Sequence, residues 1–132
     1  SNFFKTGGQV IQDITPSIQM TVKIHSYAGN PRSQKAQIAA EYAGASVELA
    51  ANFQMGVTNK TPEFLTNFPF GKVPAAETAD GPLFESNAIA YYVALKHGKS
   101  VLLGKNEYEQ AQVVQWMAVA DLQPISVYGR GV

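Results

Sequence analysis

Apolar and polar side chains alternate from Thr21 to Tyr27, with Val22, Ile24 and Ser26 on one side and Lys23 and His25 on the other. A period of two predicts a strand with one buried face. Ala28, Gly29, Asn30 and Pro31 break the pattern. Arg32 to Ala43 then places Ala36, Ala39, Ala40 and Ala43 at helical spacing, and Gly44 stands where a left-handed cap closes a helix. Ser46 to Ala50, with Val47 and Leu49 apolar, predicts a second strand running parallel to the first by way of the helix.

Phe53 to Lys60 has no regular period. Thr61, Pro62 and Glu63 have the chemistry of an N-cap followed by proline in the first helical position, which predicts a short helix through Asn67, stopped by Pro69. Lys72 to Thr78 and Pro82 to Glu85 flank Ala79-Asp80-Gly81 and predict two antiparallel strands. Ser86 or Asn87 is placed to cap a helix that buries Ile89, Tyr92 and Val93 and runs to His97 and Gly98. A longer helical pattern covers Glu107 to Leu122, with Val113, Val114, Met117 and Ala120 or Asp121 on one side, until Pro124.

Strand, helix, strand, helix, two antiparallel strands and helix is the order of an α/β, thioredoxin-like domain, expected over residues 20–99. The last pattern is expected to start an all-α domain over residues 100–132. Residues 1–19 are polar, with one proline and a Gly-Gly pair and without the basic start and apolar core of a secretory signal. They are expected to be a disordered tag or extension, with Met20 as a natural start.

Composition narrows the chemistry. The 132 residues carry ten Lys plus Arg against ten Asp plus Glu, so the clustered positive charge that a nucleic-acid backbone demands is missing. Cysteine is absent, which excludes a protein thiolate nucleophile, a redox dithiol and thiolate metal ligation. The longest apolar runs, Ala88 to Leu95 and Trp116 to Ala120, fall far short of the ~18 residues of a membrane span. A soluble, cytoplasmic protein is expected, with no nucleic acid and no membrane as direct partner. His25 and His97 have no ligand spacing to each other or to a carboxylate pair, and no metal is expected. Trp116 is expected in a core, and Glu107 and Glu109 on the surface of a helix start.

Three places carry candidate chemistry. A proline opening a strand, in Gly71-Lys72-Val73-Pro74, demands a reason. A cis bond before Pro74 would turn the Val73 backbone outward to pair with an extended peptide, while a trans proline on an edge strand is the plainer alternative. Eleven residues on, Glu85 and Ser86 lie where a strand hands over to a helix. There the helix N-terminus and the Ser86 hydroxyl suit a carboxylate and Glu85 suits an ammonium, although a serine before a helix also serves as a simple cap. The loop after the first strand offers Ser26, Tyr27 and Arg32 at the same end of the sheet, where a hydroxyl or guanidinium can lower the pKa of a ligand thiol. Buried packing for Tyr27 and a solvated first turn for Arg32 are the alternatives there.

Pro62-Glu63-Phe64-Leu65, Gly71-Lys72-Val73-Pro74-Ala75 and Phe84-Glu85-Ser86-Asn87-Ala88-Ile89-Ala90-Tyr91-Tyr92 together resemble the N-terminal domain of the glutathione S-transferases. Gly56 to Leu65, the Asn-Ala-Ile-Ala-Tyr-Tyr run, Leu102-Leu103-Gly104 and Ala111 to Trp116 are similar to the gamma subunits of translation elongation factor 1 within that superfamily. The resemblance spans Thr21 to about Asp121. It implies glutathione as ligand or co-substrate and no other cofactor. By the same resemblance Val73 pairs with the cysteinyl backbone, Pro74 is the cis proline, Glu85 and Ser86 hold the γ-glutamyl end, and Lys72 lies beside them.

For the activating group the resemblance implies one of Ser26, Tyr27 and Arg32. The first two are offset from the family's position, and Arg32 matches an arginine of gamma subunits. Two functions follow as expectations. One is a scaffold whose partners are the nucleotide-exchange subunits of the elongation factor 1 complex. The alternative is a transferase that adds the thiol of glutathione, or of a glutathione-derived thiol, to electrophiles. With only one long helix after residue 100, the second-substrate pocket is expected to be incomplete and the exposed apolar side of that helix to favour a homodimer.

Overall fold

The computed structural model describes residues 21–122. Residues 1–19, expected to be a tag or extension, Met20, expected as a natural start, and Pro124, expected to end the last helix, lie outside them. Strand β1 (Val22–His25), helix α1 (Pro31–Ala43) and strand β2 (Val47–Leu49) form the parallel β-α-β unit that the alternation predicts, with Val22 facing Val47 and Ile24 facing Leu49. A 3-10 turn (Thr58–Lys60) and helix α2 (Pro62–Asn67) lead to the hairpin of β3 (Ala75–Thr78) and β4 (Gly81–Phe84), and helices α3 (Ser86–His97), α4 (Lys99–Leu102) and α5 (Glu107–Leu122) follow. The sheet order is β2-β1-β3-β4, with β3 antiparallel to both neighbours. This is the expected thioredoxin-like arrangement with a helical segment after it.

Local chemistry sets most boundaries. Asn30 caps α1 by accepting from the Arg32 N–H, so Pro31 takes the first helical position and α1 starts one residue before the expected Arg32. Gly44 closes it at φ 64°, its N–H donating to the Ala40 and Glu41 carbonyls. Thr61 caps α2 through the Phe64 N–H. β3 begins at Ala75 and not at Lys72, because Pro74 has no N–H to give to a ladder. Pro82 is tolerated because β4 is an edge strand. Gly81 belongs to β4, which leaves Ala79 and Asp80 as the turn. At α3 the capping position falls on Glu85, at φ 74° and with no side-chain cap bond, so neither Ser86 nor Asn87 is the cap.

The core lies where the sheet meets α1 and α3: Val22, Ile24, Ala36, Ala40, Ala76, Ile89 and Val93 are all buried. Each fully buried Ile or Val contributes about 1.5–3 kcal/mol. Small alanines on α1 let α3 approach closely. Tyr92, expected in this face, is half-buried because its hydroxyl reaches out to donate to Asp80 Oδ2 at 2.7 Å. On the other side of the sheet a second cluster of Phe64, Phe68 and Ala75 carries Phe53 and Val73. The His25 ring meets Phe64 edge-on at 5.6 Å and its Nε2 lies 2.7 Å from Glu77 Oε1.

Helix α5 differs. None of its sixteen residues is buried, and Trp116, expected in a core, is 64% exposed. Its first turn is an acidic start as expected: Glu109 N–H donates to Asn106 Oδ1 and Lys105 N–H to Glu109 Oε2. Among the described residues no helix is long and apolar enough to cross a membrane.

Candidate functional site: a cleft at the proline loop

Three chain segments that are remote in sequence converge at one end of the sheet. After β1, Ser26 is buried and committed: its Oγ donates to the Tyr27 carbonyl at 3.3 Å and accepts from Asn30 Nδ2 at 2.9 Å. That pair braces the turn, so Tyr27 projects half-exposed and Arg32 stands on the first turn of α1. Before β3, the Val73–Pro74 peptide bond is cis. Val73 rests on the Phe64 and Phe68 cluster, which sets its height above the sheet. Asn59 fixes the approach to it, accepting from the Gly56 N–H at 2.6 Å and donating to the Gly71 carbonyl at 2.7 Å. Gly71 has φ 58°, and a Cβ there would lie 2.9 Å from the Asn59 carbonyl oxygen, so only glycine fits.

The third segment is the β4–α3 junction. Glu85, at φ 74° and ψ 121°, holds a backbone conformation that costs a non-glycine residue about 1–3 kcal/mol. It aims the first turn of α3 at the cleft. The early N–H groups of this twelve-residue helix lie ahead of its first intrahelical bond, Ile89 N–H to Glu85 O at 3.0 Å, and carry the positive end of the helix dipole. Ser86 is buried, and its Oγ accepts from Lys35 Nζ at 3.2 Å.

Together these segments enclose a cleft of about 740 Å³, within the usual range for small-molecule sites. Tyr27, Arg32, Lys72, Val73, Pro74, Glu85 and Ser86 all line it; Ser26 does not. Its charged walls are Arg32, Lys60 and Lys72 against Glu85 alone, a surplus of cations that suits a ligand with more carboxylates than amines. Asn59, Lys60, Met55 and Phe70 line it as well. The residue pattern passed over these four because they lie in stretches without a period. The available signal was Lys60 directly before the Thr61-Pro62 cap, a position that the start of α2 turns toward the same end of the sheet.

Residues 20–95 match the family described as "Glutathione S-transferase, N-terminal domain", and the chain belongs to that family. Among solved structures, a glutathione S-transferase-I bound with lactoylglutathione superposes with a TM-score of 0.68 at 33% identity, covering 77% of this chain and 49% of that one. Within the family, the sequence is similar to elongation factor 1-gamma. It is 53% identical over 104 residues to a probable elongation factor 1-gamma 2 of Arabidopsis thaliana, covering 79% of this chain and 25% of that protein. With elongation factor 1-gamma of Artemia salina it shares 51% over 102 residues, 76% of this chain and 23% of that one. The chain therefore spans about a quarter of the length of the curated relatives it matches.

Proposed function

We propose that this chain is the transferase-like part of an elongation factor 1 gamma subunit, a cytoplasmic scaffold that holds the nucleotide-exchange subunits of that complex and keeps a glutathione site. The kinship to elongation factor 1-gamma supports the scaffold. The convergence of Val73, Pro74, Glu85 and Ser86 on one cation-rich cleft supports the ligand. In this reading the γ-glutamyl carboxylate takes the N–H groups of α3 and the Ser86 hydroxyl, and its ammonium takes Glu85. The Val73 backbone pairs with the cysteinyl unit, and Lys60 and Lys72 meet the glycyl carboxylate. A second copy meeting the apolar side of α5 is the further contact of this reading.

Catalysis is the second reading, favoured by Arg32 and Tyr27 lining the cleft while Ser26 is spent on its own loop. Arg32 is then the group that holds the thiol as thiolate. The chain is passed over immobilised glutathione, assayed for conjugation to an electrophile, and used to capture exchange subunits. Retention, with turnover that survives Ser26→Ala and falls with Arg32→Ala, establishes the transferase. Capture of an exchange subunit by a chain that glutathione does not retain leaves the scaffold alone.

A further inference from the structure

Lys35 is central to a polar bridge that lies outside the apolar core and reaches the cleft wall at Ser86. Its Nζ donates to Ser86 Oγ at 3.2 Å and Asn87 Oδ1 at 2.9 Å on α3, and to Asp121 Oδ1 at 2.6 Å on α5. Asn87 closes the ring, its Nδ2 donating to Asp121 Oδ2 at 2.9 Å and to the Met117 carbonyl at 3.0 Å. The three N–H donors of one ammonium group are thus divided among Ser86 in the cleft wall, Asn87 next to it on α3 and Asp121 near the end of α5.

We propose that Lys35 is a positioning residue that links ligand binding at Ser86 to the seating of α5; this rests on the cleft being a glutathione site. Ser86 Oγ accepts from the ammonium, which leaves its own proton to donate and polarises that O–H toward a carboxylate in the cleft. Asp121 offsets part of the Lys35 charge but decides where that charge stays. A lysine side chain has many rotamers of similar energy, and without a fixed partner its ammonium moves into water, where its field at Ser86 is screened. Position therefore outweighs partial neutralisation, and α5 in place makes Ser86 the better donor. By reciprocity, a carboxylate on Ser86 holds Lys35 on the bridge and so steadies α5. A helix with no buried residue depends on such a tie more than the core elements do.

Glutathione is titrated calorimetrically into the chain and its variants, and hydrogen exchange of the α5 amides is followed with and without glutathione. Lys35→Met is expected to weaken binding about tenfold and Asp121→Asn about threefold, although Asp121 does not line the cleft, while Lys35→Arg stays within about twofold of the wild type. Saturating glutathione slows α5 exchange in the wild type and not in Lys35→Met. A folded Lys35→Met that binds as the wild type does, an Asp121→Asn that binds more tightly, or α5 exchange indifferent to glutathione in the wild type overturns the linkage and leaves the cleft reading standing. A wild type that takes no glutathione removes the cleft reading and the linkage with it. If Lys35→Met does not fold, Asp121→Asn and Lys35→Arg decide the matter by the same values.

Discussion

The α1–sheet–α3 unit and helix α5 are held by different forces. In the first, Ile24, Ile89 and Val93 are fully buried and the contacts are apolar and close. In the second, sixteen helical residues bury nothing completely, and a ring of polar bonds through Lys35, Asn87 and Asp121 fastens the end nearest the cleft. Beside that ring, α1, α3 and α5 leave an apolar hollow of about 680 Å³, lined by Ala39, Ala90, Ala94, Val113 and Trp116. Apolar burial scales with area and has no preferred direction, whereas a hydrogen bond requires its donor and acceptor at a defined distance and angle. The first unit is built for stability, and the second for a defined placement relative to Ser86.

The sharpest way to break this contrast is Ile89→Ala, expected to remove about 2–5 kcal/mol of unfolding free energy by opening a cavity between α3 and the sheet. Denaturant titration checks it, and a loss under about 1 kcal/mol would show that the core is not where stability resides. Next is Asn87→Ala, which takes away two donations to α5 and one acceptor for Lys35. It is expected to cost about 1 kcal/mol and to quicken hydrogen exchange in α5 while the amides of α1 and β1 keep theirs. Equal acceleration in both regions would dissolve the distinction.

Acidification gives a smaller effect on the core side. Lys23 above all, and then His25, hold the Glu77 carboxyl below the usual carboxylate range by hydrogen bonding, and Glu77 in turn raises Lys23. The folded pKa is depressed, so this stabilisation is complete above the ordinary glutamate range and is lost as pH falls through the lowered value. Thermal midpoints measured from neutral pH downward should fall less steeply in Glu77→Gln than in the wild type. Smallest of all, Trp116→Ala should shift stability by no more than about 0.5 kcal/mol, despite the size of the side chain, because that ring is largely in solvent. A loss of several kcal/mol would place Trp116 in a core after all.

Much of the fold was legible because its signals are local. The period of two at Val22 and Ile24, the alanine face of α1, the Thr61-Pro62 cap and the Gly44 stop each act within a few residues, and each predicted element lies within a residue or two of its expected place, except that β3 starts three residues late; the 3-10 turn at Thr58–Lys60 and the short helix α4 were not predicted. The boundary errors have local causes as well, such as the N–H that Pro74 lacks. The candidate site was legible mainly as a set of residue types at the ends of elements, and seven of its eight members meet in one cleft. Ser26 was the exception. Its hydroxyl has the right chemistry, but Asn30, four residues on, takes it up.

By itself the sequence determined the order of the strands and of the main helices, the apolar faces of β1 and α1, the Thr61 and Gly44 caps and the absence of any protein thiol. All of these depend on side-chain chemistry and spacing along one stretch of chain. Only the tertiary structure decided which hydroxyl is free, that Lys60 and Asn59 belong to the cleft, that Trp116 stays in solvent, and that Lys35 on α1 reaches Ser86 and Asp121, 51 and 86 residues away. Hydrogen bonds and burial depend on distances in space, and those are set when the sheet and the α1–α3 core close.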